Sequence, residues 1–323
     1  MANTPTIVVL HDGTPPAEMA RIAEHANLRY ATGEQLPHQI PGADALFVWA
    51  FRSEAITTAW PAADKLTWIH SASAGVDRLI FDELRDSAVT LTNSRGVFDQ
   101  PMAEYVLATV LTFAKDLHTT LRLQDRRTWQ HRVTERIEGK TALVIGTGPI
   151  GRAIASQLTA AGLHVTGAGR RPRTDDPDFG DVHTTDHLTD IIGEFDYVVL
   201  AAPRTPQTEG LINADVLAAC RPTARLINVG RGELVVQDDL VEALRAEHLA
   251  GAALDVFESE PLPHTSPLWD MPNVLISPHM SGDTTGWTDE LVDLFLTNLR
   301  AYVRNEELVN IVDKQRGYVS TPV

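Results

Sequence analysis

The run GTGPIG at residues 146–151 follows the apolar pentapeptide TALVI and precedes RAIASQLTAAG, whose apolar positions recur at helical spacing. Strand, glycine turn and helix in that order point to a dinucleotide-binding βαβ unit, and few folds accommodate one. In such a unit Gly146 permits the tight turn, Gly148 lets a pyrophosphate approach the backbone, and Gly151 lets helix and strand pack closely. Thr147, Pro149 and Ile150 complete the turn, and the pyrophosphate rests on the helix N-terminal amides. GxGxxG alone is weak, and a glycine turn that binds nothing has the same letters. The strand before it and the helix after it are what favour a cofactor.

The next strand, HVTGAG, ends on Gly169 and runs into Arg170 and Arg171, with Arg173 close behind. A chain that prefers NAD carries Asp or Glu in place of Gly169, to accept hydrogen bonds from the adenosine ribose. An acid there repels the extra phosphate of NADP, whereas its absence beside guanidinium groups suits a phosphate dianion. The stretch therefore predicts NADP (NADPH) as the preferred cofactor, with NAD still admissible. A solvated basic loop that binds nothing is the alternative, since exposed loops gather arginines.

A length of 323 residues exceeds one ordinary core and fits two domains. Upstream, TIVVL (6–10), ALFVW (45–49), LTWIHS (66–71) and VTLTN (89–93) alternate with helical stretches, which predicts a parallel sheet. From Pro101, PMAEYVLATVLTFAKDLHTTLRL reads as one long helix joining two domains. Downstream, TALVIG, HVTGAG, YVVLAA (197–202), ARLINVG (224–230), GAALDV (251–256) and VLISP (274–278) supply six strands of a complete doubly wound domain. The tail helix DELVDLFLTNLRAYV then returns to pack on the first domain. The predicted fold is α/β with two doubly wound parallel-sheet domains: a discontinuous flavodoxin-like substrate domain, residues 1–99 and 284–323, and a Rossmann cofactor domain, residues 100–283. A cleft between the two is expected to hold the ligands.

A formal charge of −16 disfavours nucleic acid and anionic membranes as partners. No apolar run nears the length of a membrane span, and MANTPTIVVLHDG lacks the features of a signal peptide, so a cytoplasmic address is expected. The single cysteine, Cys220, reads as a small buried apolar residue rather than a nucleophile. No metal site is expected.

Three further blocks join strand ends to polar residues, where ligands of such sheets bind: INVGRGELV (227–235), GAALDVFESEPLP (251–263) and LISPHMSG (275–282). Hydride transfer to a 2-keto acid needs a cation for the carboxylate, a proton donor beside the carbonyl, and something that keeps the donor protonated. Arg231, His279 and Glu260 can supply these in turn, because a carboxylate on the far ring nitrogen favours imidazolium. Residue chemistry alone does not single them out. A histidine after Ser-Pro is more often structural, and a glutamate before proline is more often a surface turn residue.

Taken in order, GTGPIG, NVGRG, GAALDVFESEPLP and SPH closely resemble the D-isomer-specific 2-hydroxyacid dehydrogenase family, over nearly the whole chain. The resemblance implies that Arg231 binds the substrate carboxylate and carbonyl, that Glu260 supports the histidine, and that His279 is the acid/base. It also implies that Asp255 contacts the nicotinamide amide and that Pro203, Thr208, Val229 and Gly282 belong to the cofactor site. In the first domain ASAGVD resembles the family's substrate loop, whose amides at Ser73, Ala74 and Gly75 take the carboxylate. Gly169 departs from the family's common acid and agrees with its NADP-using branch, similar to glyoxylate and hydroxypyruvate reductases. Glutamate at 260, where formate dehydrogenases have glutamine, argues against formate oxidation.

The expected activity is NADPH-dependent reduction of a small 2-keto acid to the D-2-hydroxy acid. The resemblance further implies a homodimer formed through the cofactor domains, with the long helix and the arm around Trp129 in the contact. Alternatives are an NAD-dependent phosphoglycerate-type dehydrogenase, for which no regulatory extension is evident, and a corepressor-like protein that senses nicotinamide cofactors. His70, His118 and His264 match no role and are expected to be structural or superficial. Trp49, Phe51 and Trp287 can form an apolar wall; Arg52 can touch a substrate's distal group, but an ordinary surface arginine is the safer reading.

Overall fold

A computed structural model describes residues 4–319. The chain divides into two compact units, one made of the described residues of Met1–Phe98 and Thr284–Val323, the other of Asp99–Asp283.

The first unit is built on β1 (Thr6–Leu10), β2 (Asn27–Ala31), β3 (Ala45–Val48), β4 (Trp68–Ser71) and β5 (Thr90–Thr92). All pairs are parallel, in the order β2-β1-β3-β4-β5, the flavodoxin-like arrangement. Strands β3 and β4 are buried at every position, and β1 at all but its first, because parallel sheets are covered on both faces. Strand β2 was not among the four expected. It lies at the sheet edge with only Ala31 buried, so NLRYA needs no apolar run. The tail helix, Trp287–Val303, packs within this unit, where the ring of Phe295 stacks on Phe47 and Trp68 with centroids 4.1 and 5.1 Å apart. Each of these fully buried rings contributes about 2–3 kcal/mol through removal from water.

The second unit carries β6 (Thr141–Ile145), β7 (His164–Gly169), β8 (Arg173–Asp176), β9 (Gly180–Thr184), β10 (Tyr197–Leu200), β11 (Arg225–Asn228), β12 (Gly251–Leu254) and β13 (Val274–Ile276). Their order is β13-β12-β11-β10-β6-β7-β9-β8, parallel except for β8. Strand β6 is flanked by β7 and β10, so the winding reverses at β6, and ligands of doubly wound sheets bind at that switch point. Six strands were expected here; the additional hairpin β8–β9 has mostly polar letters, RTDD and GDVHT, that carry no strand pattern.

The single long helix expected from Pro101 is two helices, Asp99–Ala114 and Leu117–Asp125. They part at Asp116, whose φ of 49° is left-handed, a conformation that Asp adopts more cheaply than most residues. Arg132 holds the break, its Nε donating to Asp116 Oδ2 at 2.5 Å and its Nη2 to the Asp116 carbonyl at 3.2 Å. Apolar periodicity continues across the junction, so it could not reveal the break. No helix among the described residues is long and apolar enough to cross a membrane.

Candidate active site

Because β6, β7, β10, β11, β12 and β13 are parallel, their C-terminal ends share one edge of the sheet, and the segments that follow them emerge there. The glycine turn is the first. Gly146 has φ 112°, and a Cβ on it would lie 2.6 Å from the carbonyl carbon of Ala201. A Cβ on Gly151 would lie 1.8 Å from the Gly146 carbonyl oxygen, so the turn closes only on glycine.

Gly148 differs. Its φ of −78° suits any residue, and a Cβ there would meet nothing within 4 Å. The chain's own packing therefore does not require this glycine. The open space lies at the start of the helix Pro149–Ala160, whose first amides are capped by no side chain. A helix N-terminus with unmet donors and room above the backbone fits a pyrophosphate.

Gly169 ends β7, and a Cβ added to it would stand 3.2 Å from Thr147 Oγ1. Arg170 and Arg171 follow on an exposed turn. Arg173 does not join them as the sequence suggested. Its Nε donates to Asp176 Oδ2 at 2.7 Å, and Arg152 grips the same carboxylate with two hydrogen bonds of 3.0 Å. Burial alone would push the Asp176 carboxyl up, but the hydrogen bonds from Arg152 and Arg173 outweigh it and hold the group well below the usual carboxylate range. Arg173 thus serves the β8–β9 hairpin.

After β10, Thr208 Oγ1 donates to the Pro203 carbonyl at 2.7 Å and accepts from the Thr205 amide at 2.8 Å, which closes that turn. After β11, Val229 is buried and its amide donates to the Leu200 carbonyl at 3.1 Å. Asn228 then fixes the turn that carries Arg231: its Nδ2 donates to the Arg231 carbonyl at 2.9 Å, and its Oδ1 accepts from the Gly230 amide at 3.1 Å. Arg231 is half-buried, with Nη1 donating to the Gly230 carbonyl at 2.9 Å. A Cβ on Gly232 would lie 1.9 Å from the Phe257 carbonyl carbon, so this turn packs directly on the segment after β12.

That segment and the one after β13 bring the expected acid and histidine together. His279 Nδ1 is 2.8 Å from Glu260 Oε2, and Glu260 Oε1 accepts from the Phe257 amide at 3.1 Å. The Glu260 side chain is only 10% exposed, against 29% for His279, so the carboxylate lies behind the ring and the ring reaches solvent. His279 has φ 57°, which costs about 1–2 kcal/mol for a residue with a Cβ. Asp255, buried at the end of β12, maintains it. Oδ1 accepts from the Met280 amide at 2.9 Å and from Ser277 Oγ at 2.6 Å, while Oδ2 accepts from the Ser281 amide at 2.9 Å. Gly282 is buried immediately beyond.

Within the first unit, Ser73, Ala74 and Gly75 form the loop after β4. Asn93 Nδ2 donates to the Ala74 carbonyl at 2.5 Å, the Ser94 amide to the Ser73 carbonyl at 3.0 Å, and Ser73 Oγ to the Gly75 carbonyl at 2.5 Å. His70 lies fully buried, its Nδ1 2.8 Å from Thr92 Oγ1, and burial pushes its pKa down to about 3. It is a neutral structural histidine. His118 is partly buried, with Nε2 3.6 Å from an Asp116 carboxylate oxygen, and His264 is exposed. Arg52 lies over the ring of Phe51 at 5.8 Å, Trp49 meets Phe47 edge-on, and Trp287 packs against Phe98. Cys220 is buried and its thiol pushed up to about 11, which leaves no thiolate near neutrality. No cluster of metal-ligating side chains exists among the described residues.

Sequence reasoning missed three groups. Asn228 and Ser277 lay inside the quoted blocks without a role, and their position beside a functional neighbour was the only signal. Asn93 gave none, because it reaches a loop far from it in sequence.

Residues 107–281 match the family "D-isomer specific 2-hydroxyacid dehydrogenase, NAD binding domain". The chain is 30% identical over 287 residues to a glyoxylate/hydroxypyruvate reductase A of Serratia proteamaculans, covering 85% of this chain and 88% of that one. It is 27% identical over 330 residues to the D-3-phosphoglycerate dehydrogenase of Mycobacterium tuberculosis, covering 98% of this chain and 60% of that one. Among solved structures, a D-isomer specific 2-hydroxyacid dehydrogenase of Xanthobacter autotrophicus in complex with NADPH and MES superposes with a TM-score of 0.81 at 31% identity, covering 98% of this chain and 100% of that one.

Proposed function

The chain belongs to the D-isomer specific 2-hydroxyacid dehydrogenase family, whose members are NAD(P)-dependent oxidoreductases, and from that premise we propose that it reduces a small 2-keto acid to the D-2-hydroxy acid with NADPH. The observation that carries the reading is the pairing of His279 Nδ1 with Glu260 Oε2 at 2.8 Å. With Nδ1 taken, Nε2 is the nitrogen that gives a proton to the substrate carbonyl oxygen, and the carboxylate behind the ring balances the imidazolium. Arg231 holds the substrate carboxylate as a guanidinium fork, helped by the amides of Ser73, Ala74 and Gly75. The bound cofactor supplies the hydride.

Residues 146–151, Pro203, Thr208, Val229, Asp255 and Gly282 make the cofactor site in this reading, and the room above Gly148 supports it. Preference for NADPH is supported by Gly169, by Arg170 and Arg171 next to it, and by the NADPH-bound relative from Xanthobacter. The Serratia reductase supports glyoxylate and hydroxypyruvate as the substrate class. A cytoplasmic location belongs to the same proposal; one buried, unpaired cysteine suits a reducing compartment. A homodimer through the cofactor domains is supported by Trp129 and Val133, apolar side chains that stand 102% and 92% exposed on one arm.

The deciding experiment is steady-state reduction of glyoxylate, hydroxypyruvate, pyruvate and bulkier keto acids, each with NADPH and with NADH. Turnover on the small acids with NADPH is expected. Similarity to D-3-phosphoglycerate dehydrogenase keeps a second reading in play, and oxidation of a phosphorylated hydroxy acid with NAD would favour it.

A further inference from the structure

Asp255 is a carboxylate with 1% of its surface exposed, and the groups that hold it are three hydrogen-bond donors. Two are the amides that immediately follow His279. The third is the Ser277 hydroxyl, 2.6 Å from Oδ1. Ser277 has one hydroxyl proton, and a carboxylate can only accept, so that proton points to Asp255. The oxygen of Ser277 must then accept from its other close neighbour, the phenol of Tyr105, 2.5 Å away. Tyr105 stands on the helix Asp99–Ala114, outside every block that carries the chemistry. Burial pushes its phenol up, which keeps the proton on the oxygen that donates.

We propose that Tyr105 and Ser277 are positioning residues for His279, acting through Asp255 along one directed chain of hydrogen bonds from the helix Asp99–Ala114 to the residues that flank the histidine. The inference rests on the reading of His279 as the proton donor. A histidine in the left-handed region reverts to ordinary backbone geometry unless its surroundings over-determine it. The two amides after His279 supply that constraint only if the Asp255 carboxylate keeps one orientation, and the Ser277 hydroxyl, itself fixed by Tyr105, sets the orientation. Tyr105 therefore contributes to proton transfer without touching substrate.

The test uses Ser277→Ala, Ser277→Thr, Tyr105→Phe and the Ser277→Ala/Tyr105→Phe double variant of the full chain. For Ser277→Ala, kcat for keto acid reduction should fall by about tenfold or more, the loss that modest misplacement of a reacting group brings. Ser277→Thr keeps a hydroxyl and should restore most of it. Tyr105→Phe should lower kcat less than Ser277→Ala does, and should have no further effect once Ser277 is alanine, because it acts only through that oxygen. Independent of turnover, the His279 ring signal in a histidine-labelled sample, assigned by its loss in His279→Asn, should broaden or split in Ser277→Ala and recover in Ser277→Thr.

Independent, multiplicative effects of the two single variants would overturn the chain, as would a His279 signal and kcat untouched by Ser277→Ala. A native protein that reduces no keto acid would sink the functional reading instead, while the ring signal still reports on the positioning chain.

Discussion

Oε2 of Glu260 stands 2.8 Å from Nδ1 of His279, although the two residues arrive from separate strand ends, β12 and β13. One ring nitrogen is thereby committed to the carboxylate, and in the proposed reaction the other serves the substrate. His279→Ala should lower kcat for reduction by about two orders of magnitude or more, the usual size of acid catalysis. Glu260→Gln retains a hydrogen-bonding side chain without its charge and should cost about tenfold or more, because the imidazolium loses the carboxylate that balances it. Steady-state rates that do not change in either variant would remove the pair from the mechanism.

Cofactor choice is predicted from Gly169, Arg170 and Arg171. The native chain should show a higher kcat/KM with NADPH than with NADH. Arg170→Ala and Arg171→Ala should each lower the NADPH value by about tenfold, the worth of one charge-assisted hydrogen bond, and leave NADH use nearly as it was. Gly169→Asp should move preference toward NADH; its Cβ would stand 3.2 Å from Thr147 Oγ1, so the threonine must give by a few tenths of an ångström. Equal efficiency with both cofactors in the native chain would refute the assignment.

The three glycines of the turn should respond differently to alanine. Gly151→Ala places a methyl group 1.8 Å from the Gly146 carbonyl oxygen and should destabilise the fold by about 3 kcal/mol or more. Gly146→Ala meets the Ala201 carbonyl carbon at 2.6 Å and adds a strained φ of 112°, with the same outcome. Gly148→Ala should leave the melting temperature unchanged and yet weaken NADPH binding, because the methyl fills space that only a ligand would use. Fluorescence titration with NADPH beside thermal melts separates the cases, and a Gly148→Ala protein that binds normally would contradict the cradle.

Buried His70 makes stability depend on pH. Its folded pKa, pushed down to about 3, lies below the unfolded value near 6.5, so the unfolded chain binds the extra proton between those limits. Stability should be fully present above about pH 6.5 and fall as pH drops, with His70 adding a slope of about 1.4 kcal/mol per pH unit within the window. Asp176 also has a depressed pKa, but its contribution is lost only below its unfolded value of about 3.8, so the two regions are separable. Urea melts from pH 4.5 to 7 should show a shallower slope in His70→Gln than in the native chain. Parallel slopes would mean that the ring is not buried neutral.

The bare apolar arm supplies the last prediction. If Trp129 and Val133 lie in a contact between cofactor domains, Trp129→Ser should lower the mass seen by light scattering from dimer to monomer at low micromolar concentration. A native chain that is monomeric at that concentration would rule out the contact.

Local patterning determined a great deal: the buried parallel strands, the glycine turn and the missing acid at 169 follow from spacing within a few residues, whereas Arg231, Glu260 and His279 stood out only through the resemblance of their blocks to the family. That information is local because strand burial and turn geometry are set by neighbours in sequence. Where burial was partial, as in NLRYA of β2 and the hairpin β8–β9, the same pattern had nothing to display. Only tertiary structure decided that Arg152 grips Asp176 beside Arg173, that the helix from residue 99 breaks at Asp116 under Arg132, and that Asp255 grips the residues around His279 while Tyr105 reaches them through Ser277. Each of those depends on which polar groups become neighbours once apolar surface is buried, and hydrogen-bond partners chosen across long stretches of chain leave no periodic trace in the letters.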